Sequence, residues 1–570
     1  MIKHLYTKQG KNLPKVPHNV YPRPNLKRDS FFCLNGEWDF CAQLGEGEAD
    51  YKEKIIVPFA PESLLSGINR TFKKETIFCY RKEFSFPKGF IKDKVLLNFG
   101  AVNQKTQVYL NGHLIGEHKG GYMPFSFDVT SFLAKKNILE VRAQNDFDDF
   151  NLPYGKQCRK RGGMWYTPAS GIWQTVWCES VPENYIKGIK ITVDDKTALI
   201  EIPEAQNGEI IVKTPDGEVN IPLMNGRAVF KPVSPCNWTP ENPYLYYCTV
   251  VSGEDRVETY FALRSLEIKE INGVSRTLLN GKPYFFNGLL DQGYFSDGIF
   301  TPADLEIFEQ DIKTAKELGF NMLRKHIKIE PQQFYYDCDR LGMVVFQDMV
   351  NNGKYSFFRD TALPTVGFKK LPSFLMGRKG VQKEEFYNAL KETVELLNNH
   401  PSVCCYTIFN EGWGQFDEDD MYLRIKLMKT GRLIDTASGW FSTDKNDFES
   451  LHIYFKKIKI KPSNKPIFLS EFGGYSFKPE GHVFNTEQTY GYRMFDNKKE
   501  FQNAFLKLYE NEVIPVIRKG LCATVYTQLT DVEDETNGLI SYDRKVVKVD
   551  KRRMQGLAKE LFSEFYDATK

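Results

Sequence analysis

Hydrophobic and polar residues alternate over short segments between about residues 30 and 180. Tight-turn pairs, Asn35-Gly36 and Asn111-Gly112, interrupt this alternation. The segments with this period-two pattern include FFCLNGEWDF, VLLNFGAV, TQVYLNGHLIGEH and GIWQTVWCE. Because helical periodicity is nearly absent here, the pattern predicts a large antiparallel β-sandwich.

A second block of short strands runs from about residue 183 to residue 265. Its segments are KGIKITVDD, ALIEIPE, GEIIVKTPDG and YLYYCTVV. Their spacing is typical of a small immunoglobulin-like sandwich. The proline-rich stretch PVSPCNWTPENP lies within this block and is expected at a loop or a sheet edge, because proline has no backbone N–H to donate.

From about residue 266, short apolar segments alternate with longer amphipathic ones. The eight predicted strands are PYFFNGLL, NMLRKH, MVVFQD, CCYTIFN, RLIDTAS, LHIYF, PIFLSEFG and LCATVYTQLTD. Amphipathic segments such as PADLEIFEQDIKTAKELG separate several of them and predict helices. This order predicts a (β/α)₈ barrel. The predicted domains are therefore residues 1–182, 183–265 and 266–570, two β-sandwiches followed by an α/β barrel.

Charge and cysteine content narrow the class of protein. The net charge of only +3 provides no basic field for nucleic acid or an anionic membrane. Eleven cysteines, an odd number without a C-x-x-C pair, indicate reduced thiols and a cytoplasmic setting. The N-terminal segment has no apolar core of a signal peptide, and no apolar run approaches the ~20 residues of a membrane span.

The active site of a parallel barrel lies at the C-terminal ends of its strands. Polar residues that directly follow the apolar segments are therefore the candidates for chemistry. They are Asp291, Arg324, His326, Asp348, Asn410, Glu411, His452, Tyr454, Glu471 and Gln528. Such a set fits glycoside hydrolysis, in which one acid protonates the leaving oxygen and one carboxylate attacks the anomeric carbon.

Two of these candidates are glutamates at the ends of apolar strands. Glu411 directly follows CCYTIFN, and Glu471 directly follows PIFLS. Because burying an unpaired carboxylate is costly, each glutamate alone is compatible with a salt-bridged strand end. Together, on the predicted fourth and seventh strands, they indicate a catalytic pair.

Longer motifs resemble those of glycoside hydrolase family 2. NHPSVCCYTIFNEGWGQF resembles the acid/base signature of that family, and PIFLSEFGG resembles its nucleophile signature. The resemblance continues along the chain. YPRPNLKRDSFFCLNGEWDF, PFAPES, YLNGHLIGEHKGGYMPFSFDVT and SGIWQTVW resemble its N-terminal sugar-binding jelly roll, CNWTPENPYLYYCTV its immunoglobulin-like domain, and FNGLLDQGYF and GFNMLRKH its first two barrel strands.

The resemblance implies a role for five of the candidates. Glu411 would be the general acid/base and Glu471 the nucleophile of a retaining exo-β-glycosidase, with carboxyl groups ~5–5.5 Å apart. Asn410 would bond the sugar hydroxyl beside the anomeric carbon. Arg324 would brace the nucleophile and lower its pKa, and Tyr454 would either bond the nucleophile or be a core tyrosine.

Five further residues are weaker candidates for contact with the sugar. His326 is compatible with a scaffold role or a sugar contact, Asp348 with a strand-end support, and Trp413 with a pocket wall or loop packing. Gln528 and Tyr526 both fit the position of an aromatic residue on the eighth strand of the family. No phosphate-loop or HExxH pattern is present, so no cofactor or metal is expected.

The identity of the sugar is less constrained by the sequence. The glucuronidases of the family carry an Asn-x-Lys after the eighth strand, where this chain has Glu535 and Asn537. Lys328, after the second strand, is a candidate to hold a uronate in its place. The missing Asn-x-Lys favours a neutral β-galactoside over a β-hexuronide, either glucuronide or galacturonide, by a small margin, whereas Lys328 argues for the hexuronide.

Two other functions remain open at this point. A non-catalytic carbohydrate-binding protein on the same scaffold would not need the pair Glu411 and Glu471. A transglycosylase would share the covalent intermediate and differ only in the acceptor. In each case the partner is a carbohydrate, and because oligomers are common in the family, a homo-oligomer is among the expected states.

Overall fold

Two antiparallel sheets around one hydrophobic core form the N-terminal part of the chain. The computed structural model describes residues 1–145, 147, 150–365 and 378–570. One sheet has six strands, in spatial order Glu53–Val57, Gly36–Leu44, Thr76–Phe84, Asn137–Gln144, Lys105–Leu110 and His113–Lys119. The other has four, Phe32–Cys33, Val176–Val181, Lys94–Phe99 and Phe125–Asp128, and Val102–Asn103 pairs with Gly171–Ile172.

The alternation in the sequence explains this sandwich. In Lys105–Leu110 every second side chain is buried, and Val108 and Leu110 join the core that Trp38 and Phe40 supply from another strand. Because successive side chains of a strand point to opposite faces, this period places one face of the sheet in the core.

One continuous antiparallel sheet of seven strands forms the middle of the chain. In spatial order the strands are Lys190–Val193, Ala198–Glu201, Arg227–Phe230, Gly217–Met224, Asn207–Thr214, Tyr246–Ser252 and Asp255–Phe261. A three-stranded sheet follows, Leu266–Ile271, Val274–Leu279 and Lys282–Pro283. This small sheet occupies the first residues of the segment that the sequence pattern assigned to the barrel.

Eight parallel strands, numbered β1 to β8, form the C-terminal barrel. They are β1 Phe286–Asp291, β2 Met322–Lys325, β3 Val344–Asp348, β4 Val403–Asn410, β5 Leu433–Ser438, β6 Glu449–Ile453, β7 Ile467–Gly473 and β8 Leu521–Thr527. The ladder of hydrogen bonds runs β5-β4-β3-β2-β1-β8-β7-β6, so that β8 pairs with β1 and the seam of the barrel lies between β5 and β6. The fold is therefore the multidomain arrangement that the sequence predicts.

Six helices of eight or more residues surround the described part of the barrel. They are α1 Glu306–Glu317, α2 Gln332–Leu341, α3 Gly380–Leu397, α4 Glu418–Leu427, α5 Lys498–Leu508 and α6 Lys551–Thr569. Their apolar residues recur at helical spacing, as Leu557, Leu561 and Phe565 do on the buried face of α6. Two short strands, Tyr475–Phe477 and Arg493–Phe495, pair in the segment after β7.

The N-terminal sandwich packs against the C-terminal end of the barrel. Tyr166 and Trp173 from the sandwich share a buried cluster with Tyr294, Phe300 and Trp413 from the barrel loops. The sandwich therefore covers one side of the barrel mouth, where the strand-end polar residues lie. Among the described residues, no helix combines the length and apolar character needed to cross a bilayer.

Candidate active site

A cavity at the C-terminal end of the barrel brings together residues from most of its rim and from the N-terminal sandwich. The sandwich supplies Lys156, Met164 and Trp165. The barrel strands and their loops supply Leu290, Gln292, His326, Tyr355, Asn410, Glu411, Trp413, Tyr454, Glu471, Tyr490, Tyr492, Thr527, Glu535 and Asn537. Both glutamates singled out by the sequence therefore face the same cavity.

Glu411 is held at the mouth of the barrel by a turn of unusual backbone conformation. It directly follows β4 with φ of +53°, and its N–H donates to the carbonyl of Ser438 at the end of β5 over 3.0 Å. The next residue, Gly412, has φ of +71°, and a Cβ there would lie 2.1 Å from the ring of Phe441. Positive φ is unfavourable for side chains with a Cβ, so packing on Phe441 requires glycine after Glu411.

Glu471 lies deeper, within β7. Near Glu471, the pairing register of β7 shifts against both of its neighbouring strands, β6 and β8. Irregularities of this kind re-aim a side chain, and they are frequent beside active sites. The Glu471 side chain is only 6% exposed, compared with 22% for Glu411.

Arg324 links the end of β2 to both sides of this cavity. Its Nη1 donates to Glu471 Oε1 over 3.1 Å and to the Ser470 carbonyl over 3.0 Å. Its Nη2 donates to Asn410 Oδ1 over 2.9 Å, and its Nε donates to Asp348 Oδ1 over 2.9 Å. Since the guanidinium is fully buried, its planar fork fixes the orientation of each of these acceptors.

The environment of Glu471 favours the ionised carboxylate. Burial by itself raises the pKa of Glu471. The nearby charges of His452 and Arg324 and the hydrogen bond from Tyr454 lower it by more than burial raises it, so the pKa lies well below its usual value. The Tyr454 hydroxyl donates to Glu471 Oε2 and lies 3.0 Å from Thr527 Oγ1. Glu471 is therefore an anion at neutral pH, held by hydrogen bonds on both oxygens.

The two glutamates lie close together, and a buried histidine lies next to both of them. Glu411, His452 and Glu471 each offer an atom, and these three atoms lie within 4.8 Å of one another. His452 Nδ1 is 2.8 Å from Glu411 Oε1, and its Nε2 is 3.1 Å from Ser438 Oγ. Three such side chains could ligate a metal ion, but since both nitrogens of His452 already face protein partners, we interpret them as a hydrogen-bonded cluster.

Two other predicted residues stand behind this cluster. Asp348 accepts from Arg324 and lies 2.7 Å from His326 Nδ1 through its other oxygen. Burial raises the pKa of Asp348, and burial lowers the pKa of His326 well below its usual value. His326 lines the cavity, whereas Asp348 orients His326 and Arg324 from behind.

Besides Asp348, three predicted contact residues do not line the cavity. Asp291 accepts from the Lys325 ammonium over 2.6 Å. Lys328 donates to the carbonyls of Gly293 and Phe300 and to Glu330, and burial lowers its pKa to about 8. The structure thus places both charges in ion pairs behind β1 and β2.

Gln528, the third of these residues, supports two cavity residues. Its Nε2 donates to Glu535 Oε2 over 2.8 Å and to Asn537 Oδ1 over 2.7 Å. The Tyr166 hydroxyl also donates to Glu535 Oε2, over 2.9 Å. Glu535 and Asn537, at the position where the sequence lacks the family's Asn-x-Lys, are therefore fixed at the cavity wall.

Aromatic rings that were not singled out in the sequence complete the cavity together with Tyr454 and Trp413. The Tyr454 ring stacks on Tyr492, with ring centroids 3.8 Å apart and an angle of 11° between the planes. Trp165 lies edge-on to both Tyr355 and Trp413, with centroids 5.2 Å apart in each pair. Rings of this kind suit the apolar faces of a sugar, but the loops that carry them show no strand-end signal in the sequence.

Lys156 is the second feature that sequence reasoning missed. It lies in a loop of the N-terminal sandwich, and its ammonium is 5.9 Å from the centroid of the Tyr166 ring. Among the described residues, no carboxylate forms an ion pair with this ammonium within 4.0 Å, although its charge partly offsets the burial that raises the pKa of Glu535 on the same cavity wall. Only the packing of the sandwich on the barrel brings Lys156 to the site.

Comparisons with known proteins agree with this architecture. Residues 62–161 match the family model of a glycosyl hydrolase 2 galactose-binding domain-like, and residues 270–553 match that of the glycosyl hydrolases family 2 TIM barrel domain. These matches together cover more than half of the chain. The chain belongs to glycoside hydrolase family 2.

Proteins similar to this chain in sequence include some named β-galactosidase and some named β-glucuronidase. A β-galactosidase of Thermoanaerobacter pseudethanolicus is 25% identical over 448 residues, which cover 72% of this chain and 56% of that protein. A β-glucuronidase of Streptococcus agalactiae is 26% identical over 428 residues, 69% of this chain and 68% of that protein. The match thus spans little more than half the length of the first relative.

A solved structure shows the same fold over nearly the whole chain. The β-galacturonidase of Eisenbergiella tayi, bound to galacturonate, superimposes with a TM-score of 0.68. The sequence identity is 18%, and the match covers 95% of this chain and 99% of that one.

Proposed function

We propose that the protein is a retaining exo-β-glycosidase in which Glu471 is the nucleophile and Glu411 the general acid/base. The observation that carries this proposal is the pair itself. Glu411 and Glu471 face one cavity from β4 and β7, and one carboxylate oxygen of each lies within 4.8 Å of the other. Retaining enzymes hold their carboxyl groups about 5–5.5 Å apart, whereas inverting enzymes need about 6.5–9.5 Å to admit a water molecule.

In the first step the ionised Glu471 attacks the anomeric carbon of the bound sugar. The glycosidic C–O bond breaks, its electron pair stays on the leaving oxygen, and Glu411 gives its proton to that oxygen. A covalent ester between the sugar and Glu471 results. The lowered pKa of Glu471 supports this role, because the nucleophile must be unprotonated.

In the second step Glu411, now a carboxylate, removes a proton from a water molecule. The water oxygen bonds to the anomeric carbon, and the C–O bond to Glu471 breaks with its electron pair returning to the carboxylate. Two displacements at the same carbon retain the anomeric configuration. Asn410, held by Arg324, is oriented to bond the hydroxyl beside that carbon in both steps.

The contribution of the N-terminal sandwich supports action on terminal sugars. Lys156, Met164 and Trp165 close one side of the cavity above the barrel rim. A cavity walled on this side suits the last sugar of a chain better than an internal one.

A β-galactoside is the first candidate substrate. Glu535 and Asn537 offer a carboxylate and an amide at the cavity wall, groups that suit the hydroxyls of a neutral sugar. The candidate uronate ligand Lys328 is engaged by Gly293, Phe300 and Glu330 instead. The β-galactosidase among the relatives is consistent with this choice.

A β-hexuronide is the second candidate, and one observation favours it. Lys156 lines the cavity, and among the described residues no carboxylate forms an ion pair with its ammonium within 4.0 Å, so it could pair with a sugar carboxylate. Replacement by glutamine would then reduce hydrolysis of uronides and leave galactosides nearly unchanged. Equal effects on both sugars would remove the hexuronide candidate.

Initial rates on nitrophenyl β-galactoside, glucuronide, galacturonide, glucoside and mannoside test the proposal, with Glu471→Gln as the control. We expect one sugar to be cleaved, the variant to be inactive, and proton NMR to show the β-anomer first. Release of the α-anomer first would contradict retention. Binding of sugars without any turnover would support a carbohydrate-binding protein, and glycosylated alcohol among the products would indicate transglycosylation.

A further inference from the structure

Within the part of the chain that the structure describes, His452 is the one side chain within hydrogen-bond distance of the Glu411 carboxyl group. Its Nδ1 lies 2.8 Å from Glu411 Oε1. The His452 side chain is fully covered, and it is not among the described residues that line the cavity. It therefore stands behind Glu411, away from the position of a sugar.

The surroundings of His452 hold its ring in one place. A Cβ on Gly439 would lie 2.3 Å from His452 Cγ, so the ring packs directly on the backbone of that glycine. On the far edge of the ring, Nε2 faces Ser438 Oγ over 3.1 Å. Glu471 Oε1 lies 3.8 Å from the same nitrogen. The ring thus cannot turn away without losing contacts at both nitrogens.

In this geometry the two carboxyl oxygens of Glu411 have different partners and therefore different roles. Oε1 is engaged by His452, and the carboxyl group is 22% exposed to the cavity. The oxygen that exchanges a proton with the substrate must be free of other partners. A donor on Oε1 leaves Oε2 for that exchange and also stabilises the carboxylate that acts as base in the second step.

We propose that His452 is a positioning residue for the acid/base: its Nδ1–H donates to Glu411 Oε1, so that Oε2 alone exchanges protons with the leaving group and with water. This inference rests on the proposed function and adds a residue to it. The contacts of Nε2 with Ser438 Oγ over 3.1 Å and with Glu471 Oε1 over 3.8 Å hold the other edge of the ring and keep Nδ1 directed at Glu411. No proton leaves His452 during the cycle, and the atoms exchanged remain those of the two displacement steps.

The consequence is specific to steps that need an acid or a base. A dinitrophenyl glycoside has a leaving group that departs without protonation, whereas a phenyl glycoside needs the acid. Loss of His452 should therefore lower kcat/KM for the phenyl glycoside and leave the dinitrophenyl glycoside nearly unaffected. A scaffold role would lower both together.

The test measures kcat/KM on both aryl glycosides of the sugar that the wild-type enzyme cleaves. For His452→Gln we expect a loss of ~10–100-fold on the phenyl glycoside, the effect of one hydrogen bond to a charged group, and little change on the dinitrophenyl glycoside. For His452→Asn, whose amide N–H can take the place of Nδ1–H, most of the activity should return.

Azide provides a second readout. It replaces water as the nucleophile in the second step and needs no base, so it should accelerate turnover of the dinitrophenyl glycoside by His452→Gln, as by Glu411→Ala. His326→Gln is the matched control, because His326 is also a buried histidine but bonds Asp348 instead of Glu411. Its losses should be equal on both glycosides and insensitive to azide.

Equal losses of His452→Gln on both glycosides, without an azide effect, would overturn the inference while the proposed function stands. If the wild-type enzyme cleaves no glycoside, the proposed function fails and the inference fails with it. Should His452→Gln not fold, as judged by thermal unfolding, Ser438→Ala decides in its place. Ser438→Ala should show the same leaving-group dependence to a smaller degree, and its absence there would contradict the proposal.

Discussion

Glu411 and Glu471 are the same side chain in two opposite surroundings. Glu471 is nearly buried within β7, and Arg324 and Tyr454 each donate to one of its oxygens. Glu411 stands on a turn after β4, is partly exposed, and has His452 on one oxygen. The two side chains nevertheless share one cavity.

The comparison teaches how one residue type serves two chemical roles. A carboxylate held between a guanidinium and a hydroxyl remains ionised, which suits a nucleophile. A carboxyl group that faces the cavity with one oxygen free can gain and lose a proton, which suits an acid/base. Changing the partners of one glutamate should therefore alter its role without altering the other.

Removal of the proposed nucleophile should give the largest effect. Glu471→Gln keeps the shape of the side chain but cannot attack, so we expect kcat to fall by at least ~10⁴-fold on every leaving group. Initial rates on the cleaved nitrophenyl glycoside measure this. The matched variant Glu411→Gln should lose more activity on glycosides whose leaving group needs protonation than on those whose leaving group departs without it. Similar losses for both variants on all leaving groups would contradict the different roles of the two glutamates.

Removal of the charge beside Glu471 should have the next largest effect. Burial raises the pKa of Glu471 while His452 and Arg324 lower it, so Arg324→Gln should raise that pKa and move the acidic limb of kcat/KM to higher pH. We expect kcat/KM near neutrality to fall ~10²–10³-fold, as for the loss of a positioned charge.

Arg324→Lys is the control for that experiment, because it keeps the charge and loses the fork that reaches Asn410 and Asp348. Its acidic limb should lie between those of wild type and Arg324→Gln. Thermal unfolding of both variants should also be measured, because Asp348 loses a buried hydrogen-bond partner and the folded state is expected to be less stable. An unmoved acidic limb in a folded Arg324→Gln would contradict the assignment of Glu471 as the ionised partner.

Loss of the Tyr454 hydroxyl should have a smaller effect in the same direction. Tyr454→Phe removes the donor to Glu471 Oε2, so the pKa of Glu471 should rise and kcat should fall ~10-fold. The phenylalanine ring can still stack on Tyr492, which keeps the cavity wall. A pH profile of kcat/KM checks the shift, and a fall in kcat without it would assign Tyr454 to the sugar.

Removal of metal ions should have no effect. Although Glu411, His452 and Glu471 come within 4.8 Å of one another, we interpret them as a hydrogen-bonded cluster. Dialysis against a chelator should therefore leave kcat/KM unchanged. A loss that a divalent cation restores would show that the cluster binds a metal, and the roles of both glutamates would need revision.

Much of the barrel and its rim could be predicted from the sequence because the signals are local. A polar residue that ends an apolar strand must lie at the rim, and this holds for Asn410, Arg324 and Asp348. The roles of Glu411 and Glu471 came from the family resemblance added to that pattern. Continuous apolar strands, buried on both faces, also predict a parallel barrel.

The remaining parts of the cavity depend on contacts between residues far apart in sequence. Lys156 and Trp165 reach the site only because the sandwich packs on the barrel, which no local pattern encodes. Lys328 and Asp291 have the right position at strand ends but are drawn into ion pairs with Glu330 and Lys325. A charge near a rim thus predicts a site residue only if no closer partner of opposite charge competes for it.

The most direct test of the central claim is to trap the covalent intermediate. A 2-deoxy-2-fluoro glycoside with a good leaving group slows the second step more than the first, so the sugar should accumulate on the nucleophile. Mass spectrometry of the digested protein should then find the added sugar on the peptide that contains Glu471, in 1:1 stoichiometry. An adduct on the peptide that contains Glu411, or full turnover of normal substrate with an inverted product and no adduct, would contradict the account.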